Sequence, residues 1–192
     1  MNGFVTKSSK ALLALSAAAV LGLTGTATAE ARTTGDTARS GATGTAADAV
    51  KAEVAKRGVA AGRIVCYRVH VAELGWLPAV CDGSVAGTTG QSRRMEAIEV
   101  AVGNVGGVCL NAHLADIGWQ GTRCGGDFQN VVAGTTGQSR RMEALHISVA
   151  SGSVSARAHL EGIGWQHAVR GNPVTVGTTG QSRRMEAIQI DV

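Results

Sequence analysis

Gly87-Thr88-Thr89-Gly90-Gln91-Ser92-Arg93-Arg94-Met95-Glu96-Ala97 decides the fold, because the same eleven residues return unchanged at Gly134–Ala144 and at Gly177–Ala187. A second shared element precedes each copy: His70-Val71-Ala72-Glu73-Leu74-Gly75-Trp76, His113-Leu114-Ala115-Asp116-Ile117-Gly118-Trp119 and His159-Leu160-Glu161-Gly162-Ile163-Gly164-Trp165. The tryptophans are 43 and 46 residues apart, and Met95, Met142 and Met185 are 47 and 43 apart. A period of this size marks a repeat architecture. The differences in length fall between Trp and the GTTG turn, which predicts a surface loop there.

Strands flank both shared elements. Val65, Tyr67, Val69 and Val71 alternate with Cys66, Arg68 and His70; Val108, Leu110, Ala112 and Leu114, then Val154, Ala156, Ala158 and Leu160, repeat the pattern. After each GTTG element, Ile98, Val100 and Val102, then Leu145, Ile147 and Val149, then Ile188, Ile190 and Val192, share one face. A period of two is the mark of a half-buried strand. One such unit cannot bury its apolar face alone, so the three must share a core. The expected fold is all-β: repeats 63–102, 106–149 and 152–192 closed with pseudo-threefold symmetry, as a β-prism or in a β-trefoil-like manner, with an open stack as the alternative. Closure also protects sheet edges.

These two elements, in order and three times over, resemble the ChW repeat family, the clostridial hydrophobic repeats named for their tryptophan. The resemblance covers 63–192. It implies a secreted or cell-surface protein of Gram-positive bacteria with an adhesive or polymer-binding role, and it brings no catalytic residues with it. The cysteines are not part of the family pattern.

Composition narrows the function further. The 192 residues carry a net charge of +4, with 17% charged, 44% hydrophobic and 3% aromatic residues, 27 Gly and 2 Pro. This excludes wholesale disorder, and the glycines show no collagen period. From Arg63 to Val192 eleven Arg face ten Asp or Glu, leaving +1. A nucleic-acid binder needs a concentrated basic footprint on its folded part, so that class is set aside.

The excess charge sits near the start. Lys7 and Lys10 precede the apolar run Ala11–Leu23, and Ala27-Thr28-Ala29 follows it. This is the layout of a secretory signal peptide at 1–29, and the run is too short to span a bilayer. No membrane insertion is expected after its cleavage. Residues 30–62, rich in Thr, Ala and Gly, read as a flexible tether in which Ala46–Arg57 forms one short helix, acidic early and basic late.

Cys66 and Cys109 lie four residues before the histidine of their repeats, and Cys81 and Cys124 five after the tryptophan; Ser155 and Arg170 hold both places in repeat three. Joint loss argues for pairing within a repeat, hence Cys66–Cys81 and Cys109–Cys124. Export permits disulfides, and the long spacing disfavours a zinc site.

His70, His113 and His159 lie opposite the apolar face, and a structural role is preferred to a shared metal site. Neither metal nor cofactor is expected. Alternation puts Arg94 and Glu96 on the apolar face, as it does Arg141 with Glu143 and Arg184 with Glu186. A buried carboxylate needs a partner, so these are read as three structural ion pairs. The GTTGQS loop is no phosphate loop, because no Lys follows it; it is a tight turn with a polar rim able to hydrogen-bond sugar hydroxyls. Trp76, Trp119 and Trp165 cap the core or form platforms for sugar rings, and the low aromatic content favours the core.

The function expected is a secreted, non-enzymatic binding or adhesion module recognising cell-wall or extracellular glycan through three equivalent weak sites. Their residues are Trp76, Trp119 and Trp165 with Thr89, Gln91, Thr136, Gln138, Thr179 and Gln181. Multivalency on a polymer is the physical reason for three copies. The alternatives are a glycan hydrolase using Asp82 and Asp127, and an adhesin or inhibitor that binds a surface protein through the variable loops Leu77–Val85 and Gln120–Val132.

Overall fold

A computed structural model describes residues 44–58 and 62–192. The expected signal peptide at 1–29 and the first part of the tether lie outside the described residues. The rest is β structure with one helix, α1 (Ala46–Arg57). Repeat one contains β1 (Ile64–Val71), β2 (Gly75–Trp76), β3 (Val80–Cys81), β4 (Ala86–Gly87) and β5 (Met95–Gly103). Repeat two contains β6 (Val108–Leu114), β7 (Gly118–Trp119), β8 (Arg123–Gly125), β9 (Val131–Gly134) and β10 (Met142–Val149). Repeat three contains β11 (Val154–Leu160), β12 (Gly164–Trp165), β13 (Val169–Gly171), β14 (Val174–Gly177) and β15 (Met185–Asp191).

The two long strands of each repeat pair antiparallel and form the centre of one sheet, so there are three sheets, one per repeat, and no closed barrel among the described strands. Where a surface loop was expected between Trp and GTTG, each repeat has two further strands of two to four residues. Pieces this short carry no readable period.

The last of these short strands leaves its own repeat. β9 of repeat two completes the first sheet, with Ala97 opposite Gly134 and Val100 opposite Val131. β14 of repeat three completes the second, with Ala144 opposite Gly177. β4 of repeat one completes the third, with Ala187 opposite Gly87 and Ile188 opposite Ala86. The exchange runs from each repeat to the one before it and ends where it began.

The inward faces are those expected from alternation. Val65, Tyr67, Val69 and Val71, Leu110 and Leu114, Leu145 and Ile147, Leu160, Ile188 and Ile190 belong to one buried cluster. The single tyrosine ties the first repeat to the last: its hydroxyl donates to Ser84 O and accepts from Ile190 N at 2.9 Å. Burial pushes the Tyr67 phenol above its ordinary range.

Both expected disulfides are present, Cys66–Cys81 and Cys109–Cys124. Each joins residues directly opposite in a ladder, and Ser155 faces Arg170 in the equivalent place of repeat three.

The helix expected at Ala46–Arg57 is found with those bounds, capped by Thr45 and Asp48 in a reciprocal pair of hydrogen bonds. It is docked rather than tethered. Ala46, Ala47 and Val50 cover Ile64, Cys66 and Ala101 on the outer face of the first sheet. Ala46 N donates to Glu99 Oε1 at 2.8 Å and Ala47 N to Asn130 Oδ1 at 2.7 Å, which satisfies two of the orphan donors at a helix start. Among the described residues no helix is long and apolar enough to cross a membrane.

Candidate functional site: a repeated Trp–His–Glu row

Each sheet carries one cross-strand row on its outer face. In the first sheet Trp76 pairs with His70, His70 with Ala97, and Ala97 with Gly134. The second row is Trp119, His113, Ala144 and Gly177. The third is Trp165, His159, Ala187 and Gly87. Residues opposite one another across a ladder point to the same face, so each row brings four strands to one strip of surface. Three strands come from one repeat and the fourth from its neighbour.

A β-bulge adds the acid. Val71 faces Met95 and His70 faces Ala97, so Glu96 is the extra residue, as are Glu143 and Glu186 in the other sheets. A bulge re-aims side chains. Plain alternation would send Glu96 inward with Ile98, whereas Met95 takes the core position and Glu96 stands on the histidine face. The expectation that these acids share the apolar face is therefore corrected, although they are buried, at 4%, 4% and 5% exposure for Glu96, Glu143 and Glu186.

The ion pairs expected from the sequence are formed. Arg94 Nε donates to Glu96 Oε1 at 2.9 Å, Arg141 Nε to Glu143 Oε1 at 3.0 Å and Arg184 Nε to Glu186 Oε1 at 3.0 Å. The other carboxylate oxygen lies 3.2 Å from Nδ1 of His70, His113 or His159. These are close contacts without hydrogen-bond alignment, and they become ion pairs when the imidazole is protonated. Each imidazole also meets its tryptophan in a T-shaped contact, with centroids 5.6, 5.2 and 5.4 Å apart. The histidines thus orient Trp against Glu within their own sheets. Among the described residues no group of three or more His, Cys, Asp or Glu gathers as a metal site would require.

The tryptophans are not core residues. Trp76 and Trp165 are half-buried, and Trp119 is 44% exposed. The reading that favoured the core from low aromatic content is overturned, because the core is filled by aliphatic side chains alone apart from Tyr67. Leu74, Ile117 and Ile163, two residues before each tryptophan, are 46%, 45% and 50% exposed. Sequence reasoning missed them. The available signal was an apolar residue at a fixed place in three copies of a turn.

The three rows differ in their surroundings. Arg68 lies 4.9 Å from the Trp76 ring centroid and Arg157 4.9 Å from that of Trp165. Arg68 is itself held by Glu99 at 2.9 and 3.0 Å. Repeat two has Asn111 in that register position, opposite His146, and among the described residues no guanidinium covers Trp119.

Beyond the row, the GTTG loop closes the seam to the repeat before it, with repeat one closing on repeat three. Thr88 N donates to Glu186 O at 2.9 Å, Thr135 N to Glu96 O at 2.9 Å and Thr178 N to Glu143 O at 2.8 Å. A Cβ on Gly134 would sit 2.4 Å from Glu96 O, and the other two seams repeat this, which is why the first glycine of the loop admits no other residue. The second Thr and the Gln, namely Thr89 and Gln91, Thr136 and Gln138, Thr179 and Gln181, stand exposed at the loop tips, where Gly90, Gly137 and Gly180 have the positive φ expected of a tight turn. The loop tips and the tryptophan turns lie at the same end of the sheets, since Ala72 N donates to Arg94 O and Ala115 N to Arg141 O, both at 3.0 Å.

Asp82 and Asp127 lie elsewhere and cap loops. Asp82 accepts from Val65 N at 3.0 Å and pairs with Arg57 at 2.6 Å, while Asp127 accepts from Val105 N at 3.3 Å and Gly106 N at 3.1 Å.

The family model for Clostridial hydrophobic W matches residues 70–104, 113–150 and 159–192. No curated protein and no solved structure matches the chain. Each matched window opens on the histidine of a row and runs through its tryptophan, its GTTG loop and its bulged glutamate. With three such windows spanning more than half of its 192 residues, the chain belongs to the Clostridial hydrophobic W, or ChW, repeat family.

Proposed function

We propose that the protein is an exported, non-enzymatic module that holds extracellular or cell-wall polysaccharide on the outer faces of three sheets arranged as the walls of a β-prism. One observation carries this reading: a partly exposed tryptophan two residues after a half-exposed aliphatic residue, in the same place on each sheet and at the same end as the exposed Thr and Gln of the loop tips. An indole face takes the apolar side of a sugar ring, while hydroxyl and amide groups take its rim. Surface apolar residues gathered beside fixed polar groups mark binding sites more often than scattered ones do. The histidine and glutamate behind each tryptophan fix its angle, which reduces the entropy lost on binding. Two disulfides and a leader of the signal-peptide type fit an oxidising, external setting. The two acids that a hydrolase reading would use are engaged in capping loops, which favours binding over turnover.

The three sites are not of equal strength in this proposal. Trp119, with no overlying arginine among the described residues, is the strongest platform. Retention of the protein on insoluble polysaccharides and purified cell walls, with a parallel assay for released reducing sugar, tests the reading. Retention without release, reduced at least fivefold by Trp119→Ala and less by Trp76→Ala or Trp165→Ala, is the expected result. Failure to bind any polymer would end the glycan proposal and turn attention to protein partners, and released sugar would end the non-enzymatic one.

A further inference from the structure

At the end of the molecule that bears the loop tips, the three GTTGQSRR loops meet around one pocket of about 270 Å³. It is lined by Ser92, Arg94, Ser139, Arg141, Ser182 and Arg184, one Ser and one Arg from each repeat, together with Glu161. The three serines share a left-handed backbone, with φ of 53°, 54° and 52°, so the loops enter the pocket in the same way.

The seventh residue breaks the symmetry and shows the chemistry. Arg94 and Arg141 engage their glutamates through Nε and Nη2. Arg184 engages Glu186 through Nε, and its Nη1 holds the Glu161 carboxylate at 2.6 Å. Repeats one and two have Ala72 and Ala115 where repeat three has Glu161; their acids, Glu73 and Asp116, come one residue later and pair outward with Arg93 and Arg140. The pocket thus contains three arginines, each paired with the glutamate of its own repeat, and one of them, Arg184, carries a second carboxylate supplied by the chain.

We infer that this pocket is a binding site for a small oxyanion, held by Arg94 and Arg141 with the serine hydroxyls around it, and that Glu161 occupies the third arginine as an internal counterpart of that ligand. The arginine fork suits carboxylate and phosphate alike, and Glu161 supplies the precedent for a carboxylate. The site touches the tryptophan rows only through the glutamates that its arginines hold, uses none of their ring surfaces, and does not depend on the glycan proposal. The carboxylate of Glu161 lowers affinity for a second anion, because like charges in one small pocket repel.

The test is an NMR titration of the arginine Nε–Hε signals with sodium glucuronate, inorganic phosphate and neutral glucose at constant ionic strength. Glucuronate is expected to shift the signals of Arg94 and Arg141 at millimolar concentrations, with glucose shifting neither. Glu161→Gln should tighten binding by about tenfold. Ser139→Asp, an exposed position whose backbone suits Asp, should abolish it while leaving every Arg–Glu pair in place. Tighter binding of phosphate than of glucuronate would support the site and assign it to phosphoryl groups. Unmoved arginine signals with both anions, or an affinity indifferent to Glu161→Gln in a variant that melts like the parent protein, would overturn the inference.

Discussion

Installing a third disulfide, by Ser155→Cys with Arg170→Cys, asks what the two native ones contribute. Ser155 and Arg170 face each other in the ladder of β11 and β13, in the register that joins Cys66 to Cys81 and Cys109 to Cys124. The new bond would close a loop with the same separation of 15 residues. Chain entropy removed from the unfolded state by such a loop stabilises by about 3 kcal/mol. Little is lost in exchange: Arg170 is exposed and Ser155 half-exposed, and neither side chain makes a hydrogen bond or ion pair among the described residues, so the substitutions themselves should cost roughly 0.5 kcal/mol or less. With a urea slope of about 2 kcal/mol per molar, the unfolding midpoint should rise by roughly 1–1.5 M. Equilibrium urea curves under oxidising and reducing conditions measure this, with mass spectrometry and thiol titration to establish that the bond has formed. Under reduction the gain should vanish. A bond that forms without moving the midpoint would refute the entropic account, and thiols that stay free would refute the register.

Three further perturbations separate the parts of the architecture. Gly134→Ala should destabilise by roughly 2–6 kcal/mol in a urea melt, because its Cβ would meet the Glu96 carbonyl at a φ of 102°, whereas Gly137→Ala at the open loop tip should cost only about 1–2 kcal/mol. Above pH 10 the unfolded chain releases the phenolic proton that folded Tyr67 retains. Stability should therefore be fully present below pH 10 and fall above it by up to about 1.4 kcal/mol per pH unit, and Tyr67→Phe should remove that fall in a pH series of thermal melts. The same substitution should cost about 1–3 kcal/mol at neutral pH by leaving Ile190 N without its acceptor. Glu99→Ala removes the acceptor at the start of α1 and the partner of Arg68, so proteolysis should cut within 46–57 while the β core survives.

The period-two pattern of the long strands made the sheets and their inward faces legible, and the joint absence of two cysteines in repeat three gave the pairing. The bulge was not legible. Nothing in Arg-Arg-Met-Glu-Ala-Ile announces an extra residue, and only the contact of Glu96 with His70 shows that alternation breaks there. The exchange of short strands was hidden for a different reason: a segment such as Ala86-Gly87 is too short for periodicity, and its partner at Ala187 lies about a hundred residues away. The docking of α1 did leave a trace. Beyond Glu99 the outer face of the first sheet's strand is apolar at Ala101, whereas the equivalent strands carry Ser148 after His146 and Asp191 after Gln189, so something had to cover the first sheet alone. The tryptophans were judged by composition, which counts aromatic residues without locating them. Their rows depend on pairings across four strands, and only the folded register brings those together.

With three sheets sharing one core, the handing of one short strand from each repeat to the sheet before it fixes a number. Repeat one supplies β4 to the sheet of repeat three, so the first of the three repeats to be made must wait for the third before either is complete. A chain with two repeats would leave a sheet short of a strand unless it drew one from a second molecule. A chain with a fourth would carry a donor with no acceptor, and an acceptor with no donor, until two more were added. Gene duplication in this architecture therefore counts in threes, and any longer relative built on the same exchange should be a string of such triplets.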